Sequence, residues 1–241
     1  MHPSEFDAMA RVQRDHWWYR ALRGLLADAL SRETSGSGLD ILDAGCGTGA
    51  HLPTLKLHGN VLGADASPYA LRHAAGTAVA GADGRALPFP DASFDVLVSC
   101  DVLCHEAAGD PAEHLREAHR VLRPGGVLLL NLPAYRWMLS AHDRAVANAR
   151  RFQRSEVVAL VEAAGFNVAR VTHWNLLLLP AAMGKRMLLP RSGSDLSRAP
   201  GGFEQMVGLM TTGLERVWLR MAGLPAGLSI FVVARKPSKE A

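Results

Sequence analysis

An apolar run, Leu39–Leu42, breaks into Asp43-Ala44-Gly45-Cys46-Gly47-Thr48-Gly49, and this junction constrains the fold more than any other stretch. Three alternating glycines after a strand let a ligand lie against bare backbone, because glycine has no Cβ and tolerates positive φ. The next segment, Ala50–Leu57, reads as a helix interrupted early by Pro53. Its unpaired N–H groups and positive dipole end would face an anionic ligand. Strand-like and helical stretches then alternate: Asn60–Asp65, Pro68–Val79, Phe94–Cys100, Pro111–Leu122 and Val127–Leu132. Such alternation predicts right-handed βαβ units and a parallel sheet with helices on both faces. Ligands of these sheets sit at the carboxyl ends of the strands.

The flanks follow other rules. Residues 5–31 read as one helix, and Ser35-Gly36-Ser37-Gly38 as a flexible break. Beyond Pro133, a loop rich in His, Asp and Arg leads to a helix, Ser155–Ala164, with Ser155 as its N-cap. A strand, Asn167–Trp174, comes next, then two apolar helices, Leu176–Leu189 and Phe203–Ala222, and a last strand, Leu228–Ala234. We expect one domain over 1–241, with a helical lid at 1–34, a cofactor-binding core at 35–174 and 227–236, and a helical insertion at 175–226.

Composition narrows the function. Of 241 residues, 49% are hydrophobic and 20% charged, enough apolar content for a sizeable core and against global disorder. A net charge of +3 with no long Lys/Arg run argues against nucleic acid as a partner. Cys46, Cys100 and Cys104 form no even disulfide framework, which suits a reduced, cytoplasmic setting. No signal-peptide pattern opens the chain, and the longest apolar stretch, Leu176–Met183, is too short for a transmembrane segment.

Downstream residues give the glycine turn its meaning. Asp65 ends the second strand, where a carboxylate can take both hydroxyls of an adenosine ribose. Asp83 in Ala82-Asp83-Gly84 ends a third short segment, and its carboxylate can accept from an exocyclic amine. The turn reads G-x-G-x-G, whereas pyrophosphate recognition wants G-x-G-x-x-G, so a dinucleotide oxidoreductase is the weaker reading.

Taken together, LDAGCGTG at 42–49, GAD at 63–65, ADGRALPFPDASFD at 82–95 and VLRPGG at 121–126 resemble class I S-adenosylmethionine-dependent methyltransferases. The resemblance implies an α/β, Rossmann-like seven-stranded sheet closed by a β-hairpin at its C-terminal edge. It implies S-adenosyl-L-methionine as cofactor, with Asp43, Gly45, Cys46, Gly47 and Gly49 near its methionine part. Asp65 would hold the ribose, Ala66 would flank the adenine, Asp83 and Gly84 would meet the adenine edge, and Cys100 would sit on the cofactor side of the fourth strand. The outer motifs His16-Trp17-Trp18-Tyr19-Arg20, Ser140-Ala141-His142-Asp143, Arg150-Arg151-Phe152 and Trp174-Asn175 resemble a bacterial subgroup acting on glycans or natural products.

Around that core, each functional reading has a structural rival. His105 is either a general base for an acceptor hydroxyl or a histidine packing the next helix. His142 with Asp143 is either an oriented base or a loop residue beside a helix cap. Trp17, Trp18 and Tyr19 cannot all face one way on a helix, which favours a lid, with Trp17 and Tyr19 meeting the substrate. Asp143, Arg144, Arg151 and Trp174 complete the expected substrate contacts; Arg150, Arg151 and Arg154 could grip an anionic acceptor, although a solvated helix face explains those three more simply. Cys46 and Cys104 read as small packing residues. The insertion helices would roof the acceptor pocket, dimerise, or touch a membrane surface, in that order of expectation.

The expected activity is methylation, most readily at oxygen, of a small-molecule acceptor, with His105 or His142 as base and no metal. Rival readings are a non-methylating cyclisation at the same cofactor, or a non-catalytic partner subunit. We expect a monomer or homodimer, with peripheral membrane contact as the remaining option.

Overall fold

The computed structural model describes residues 3–35, 38–74, 77–140, 143–144, 146–188 and 199–238. In chain order the elements are α1 Pro3–Val12, α2 Trp17–Glu33, β1 Leu39–Ala44, α3 Leu52–Leu55, β2 Gly59–Asp65, α4 Pro68–Leu71, β3 Ala78–Gly81 and β4 Phe94–Cys100. Then follow α5 Pro111–Val121, β5 Leu122–Pro133, α6 Arg154–Ala163, β6 Asn167–Trp174, α7 Leu179–Leu188, α8 Gly202–Leu219 and β7 Ser229–Arg235.

The strands form one seven-stranded sheet in the order β3-β2-β1-β4-β5-β7-β6. Pairing is parallel from β3 through β5, while β7 runs antiparallel to both β5 and β6. The Rossmann-like sheet with its antiparallel edge is therefore as the motifs imply. Both faces are apolar because alternate side chains point to opposite sides. Leu42, Leu97, Leu128 and Val232 face α5 and α6, whereas Ile41, Val96, Val98 and Leu129 face α2.

Helix boundaries differ from expectation in physically instructive ways. The single helix over 5–31 is two helices. The chain turns at Gln13–His16, and the His16 imidazole accepts the Trp18 N–H at 3.2 Å, capping α2. The Pro68 helix stops at Leu71, and Val79 lies instead in β3 opposite Gly63, an extended site that suits a β-branched residue. After the glycine turn, α3 is one turn long, so few peptide dipoles add up there and the expected anion attraction is not built. Ser155 does not cap α6. Gln153 does, through a capping box with Glu156.

Helices α7 and α8 lie between β6 and β7. Helix α8 packs on α2 through paired contacts of Arg216 and Arg220 with Asp28, and through Gln205, which accepts the Trp17 N–H at 3.0 Å. Gly208 makes this approach possible, since a Cβ there would lie 2.3 Å from the Trp17 ring. Its outward face carries Phe203, Met206, Met210, Leu214, Val217 and Trp218, all exposed. Among the described residues no helix is long and apolar enough to cross a membrane.

The loop after β5 is pinned by a buried ion pair. Asp143 is fully buried and receives Arg151 Nε at 2.8 Å together with the Ser140 N–H and hydroxyl. Burial alone would raise its carboxyl, but the hydrogen bonds and charge of Arg151 hold it below the usual range. Removing one member leaves the other charge buried and uncompensated. Asp143→Ala should therefore cost about 3–5 kcal/mol in urea unfolding at neutral pH. Because the carboxyl is depressed, that loss should shrink as pH falls through its folded value.

Candidate functional site

The strand ends converge on a cavity of about 550 Å³, of the size used by small-molecule sites. One half lies over β1, β2 and β3, and the other over the ends of β4, β5 and β6 and the start of β7. The strand order reverses between β1 and β4, where sheets of this kind open a crevice.

The glycine turn forms one wall. Gly45, Gly47 and Gly49 all adopt positive φ, at +83°, +54° and +83°. Position 45 tolerates no other residue without rearrangement, because a Cβ there would lie 2.1 Å from Val102 Cγ2. Gly47 N–H donates to Asp65 Oδ2 at 2.8 Å, and Ser67 N–H donates to Oδ1 at 2.8 Å. Asp65 therefore holds the turn from below while each oxygen keeps a lone pair for a ligand hydroxyl. Gly49 stands back from the cavity, its N–H closing the turn on the Cys46 carbonyl at 2.9 Å.

Asp43 is buried beneath this wall, and neither carboxylate oxygen has a hydrogen-bond partner. Burial, reinforced by Asp65, raises its carboxyl to about 7. Such an orphaned carboxylate is costly alone and suits a cationic ligand resting on the turn above it. Asp83 lies at the far end, both oxygens gripped by Arg85, which holds the carboxyl down at about 2. Ala66, Gly84, Cys46 and Cys100 also line the cavity.

The N-terminal helical segment is tied directly to the turn. Gln13 Nε2 donates to the Thr48 carbonyl at 3.1 Å, and the Thr48 hydroxyl donates back to Gln13 Oε1. Arg23 bonds the Ala50 carbonyl at 3.3 Å. Trp17, Trp18 and Tyr19 all reach the cavity wall, with Phe6 and Met9 beside them.

Other expected contacts move. His105 and Arg151 line the cavity, but Arg151 is spent on Asp143 and on the Ala134 carbonyl. Asp143 itself is buried and points away from any ligand, so it is a structural anchor rather than a substrate contact. Arg144 is exposed and does not line the cavity. Trp174 is a core residue whose indole N–H donates to Asn131 Oδ1 at 2.8 Å, leaving the cavity to its neighbour Asn175. His142 lies outside the described residues. The insertion helices do not roof the cavity: among the described residues, none from α7 or α8 lines it.

Asp101, His51 and Asn175 are among the lining residues that escaped the sequence reading. Asp101 follows β4 with φ +55°, a strained conformation for a residue other than glycine, and Asn131 Nδ2 donates to it at 2.9 Å. Burial raises its carboxyl to about 7 against the opposing effects of Asn131 and Arg151. His51 has an unpartnered Nδ1, and burial, helped by Arg23, lowers its imidazole to about 3. Asn175 is buried with φ +62°. Their signal was positional only: Asp101 and Asn175 directly follow strand ends, and His51 lies two residues past the last glycine of the turn.

This strand order, the reversed β7, the glycine turn and the acid ending β2 together define a class I methyltransferase fold. The methyltransferase domain family matches residues 42–130. A predicted methyltransferase of Encephalitozoon cuniculi is 32% identical over 177 residues, 71% of this chain and 70% of that protein. A predicted S-adenosylmethionine-dependent methyltransferase of Mycolicibacterium smegmatis is 30% identical over 164 residues, 65% of this chain but only 62% of that protein. Among solved structures, a chain from the complex between the Haloferax volcanii Trm112 methyltransferase activator and a predicted methyltransferase superposes with a TM-score of 0.63 at 21% identity. The superposition covers 99% of this chain and 98% of that one.

The chain belongs to the S-adenosylmethionine-dependent methyltransferase family. Its residues suit that methyl donor: a bare-backbone turn would bear it, Asp65 has lone pairs that would accept from ribose hydroxyls, and the unpartnered carboxylate of Asp43, behind the cavity wall, would favour a cation.

The charge match is testable. Asp43 is protonated more readily in the folded protein than in the unfolded chain, so its contribution to stability is full below about 3.8 and lost as pH rises through about 7. Binding a cation reverses the preference. Calorimetric affinity for S-adenosylmethionine should rise as pH climbs through about 7, and Asp43→Asn should flatten that rise.

Proposed function

We propose that this protein methylates an oxygen of a small, hydroxyl-bearing acceptor of glycan or natural-product type, with His105 removing the proton. The observation that carries the reading is where His105 stands and how it is held. It lies just past β4 on the cavity wall, and its Nδ1 faces the Ala147 carbonyl at 3.3 Å. An Nδ1 turned to a carbonyl carries the hydrogen, which leaves the lone pair on Nε2. Burial lowers the imidazole below its ordinary 6.5, against the Ala147 hydrogen bond, so the ring is neutral and able to accept a proton at neutral pH.

The donor, when bound, supplies a methyl group already activated by a positively charged sulfur. The protein's own tasks are then alignment, exclusion of water and proton removal. Asp65 and the glycine turn would fix the donor, and Trp17, Trp18 and Tyr19, which line the cavity, would shield it from solvent. His105 would take the hydroxyl proton as the oxygen becomes nucleophilic. The N-terminal HWWYR motif supports the subgroup reading, since all three of its aromatic residues reach the cavity.

S-adenosylhomocysteine formation with hydroxylated acceptors tests the reaction. His105→Ala should lower kcat by about 10²–10⁴ while leaving donor affinity unchanged. In the wild type, kcat should rise with pH to a plateau, with its inflection below 6.5. An unchanged turnover in His105→Ala would remove it as base.

A further inference from the structure

We infer that Asn175 is the residue that reads the acceptor, and that the insertion helix α8 exists in part to hold it there. The inference rests on the methyltransferase reading above and names the chemistry of the acceptor half of that site. Asn175 lines the cavity, is 1% exposed, and has an amide oxygen with no hydrogen-bond partner. Its backbone is left-handed at φ +62°, a conformation that asparagine tolerates better than other side-chain-bearing residues.

That conformation is clamped from outside the cavity. Glu215 of α8, itself buried, accepts the Asn175 N–H at 2.7 Å through one oxygen and the Leu177 N–H at 2.8 Å through the other. Helix α8 is in turn tied to α2 by the Asp28 contacts of Arg216 and Arg220. A turn held this way presents one side chain in one direction, and that side chain ends in an unsatisfied acceptor.

The wall around it selects the ligand's chemistry. Asp101 adds a second hydrogen-bond acceptor, fixed through Asn131, which receives the Trp174 N–H. Arg151 offers no unpaired charge, because Asp143 already holds it, so an anionic acceptor gains nothing here. Trp17, Trp18 and Leu228 give the cavity apolar surface. The matching acceptor is a neutral ring compound with at least two hydroxyls: one is methylated, and another donates to Asn175.

The test uses the whole protein with 2,3-dihydroxynaphthalene and 2-naphthol as paired probes. S-adenosylhomocysteine formation gives kcat and KM, and calorimetry on the S-adenosylhomocysteine-loaded protein gives affinity. The wild type should bind and turn over the diol at least about tenfold better than the mono-ol, a single well-placed hydrogen bond. Asn175→Gly keeps the left-handed backbone and should raise KM for the diol by about tenfold, with kcat and the mono-ol little changed. Asn175→Asp keeps an acceptor oxygen and should retain the preference for the diol. Glu215→Gln, outside the cavity, should weaken that preference without altering donor affinity.

Equal losses for both probes in Asn175→Gly, or a wild type that does not distinguish them, would overturn the inference. So would a loaded protein that binds neither probe, with the methyl-donor reading left intact. Failure to take up S-adenosylhomocysteine at all would instead overturn that reading.

Discussion

Two backbone N–H groups converge on one carboxylate, and the active end of this protein is organised around that point. Asp65 receives Gly47 on one oxygen and Ser67 on the other, so the end of β2 fixes the shape of the turn after β1. The turn can close this tightly because Gly45 admits Val102 where a side chain would stand. Val102 belongs to the segment after β4, so three strand ends share one packing solution. An incoming donor meets a surface already formed, and little ordering cost remains to be met on binding.

The helical additions extend that rigidity outward. Helix α1 and its turn reach the glycine loop through Gln13 and Thr48, and Arg23 ties α2 to Ala50. On the opposite flank, α8 grips α2 through Asp28 and the β6 end through Glu215. Helices α7 and α8 thus act on the cavity at one remove: among the described residues neither lines it, yet α8 sets the direction of one wall residue, Asn175. The Asp143–Arg151 pair does the same for the loop after β5. The buried contacts among these, Glu215 with Asn175 and Arg151 with Asp143, cost desolvation, which fits positional specification better than net stabilisation.

Much of this was legible in the sequence because it depends on local rules. Strand–turn–helix alternation fixed the sheet, glycine spacing fixed the turn, and Asp65 stood where a parallel strand must end. The residues that escaped depend on partners distant in the chain. Nothing near Asp143 announces that Arg151 will neutralise it, so an apparent substrate contact proved to be an anchor. Trp174 looked like a ligand-facing aromatic, but Asn131 draws its indole into the core and turns Asn175 to the cavity instead. Helix ends were misjudged where capping depends on a side chain, as with His16 before α2 and Gln153 before α6. The helix after the glycine turn was overestimated for the converse reason: its apolar residues serve packing under the lid, and a single turn suffices.

The G-x-G-x-G turn and Asp65 suit a sulfonium nucleoside and not a pyrophosphate. Calorimetric titration of the purified protein with S-adenosylmethionine, S-adenosylhomocysteine and NAD tests it directly. The first two should bind, NAD should not, and Asp65→Ala should weaken both by at least about tenfold. Binding of NAD with comparable affinity, or donor binding that is indifferent to Asp65→Ala, would contradict it.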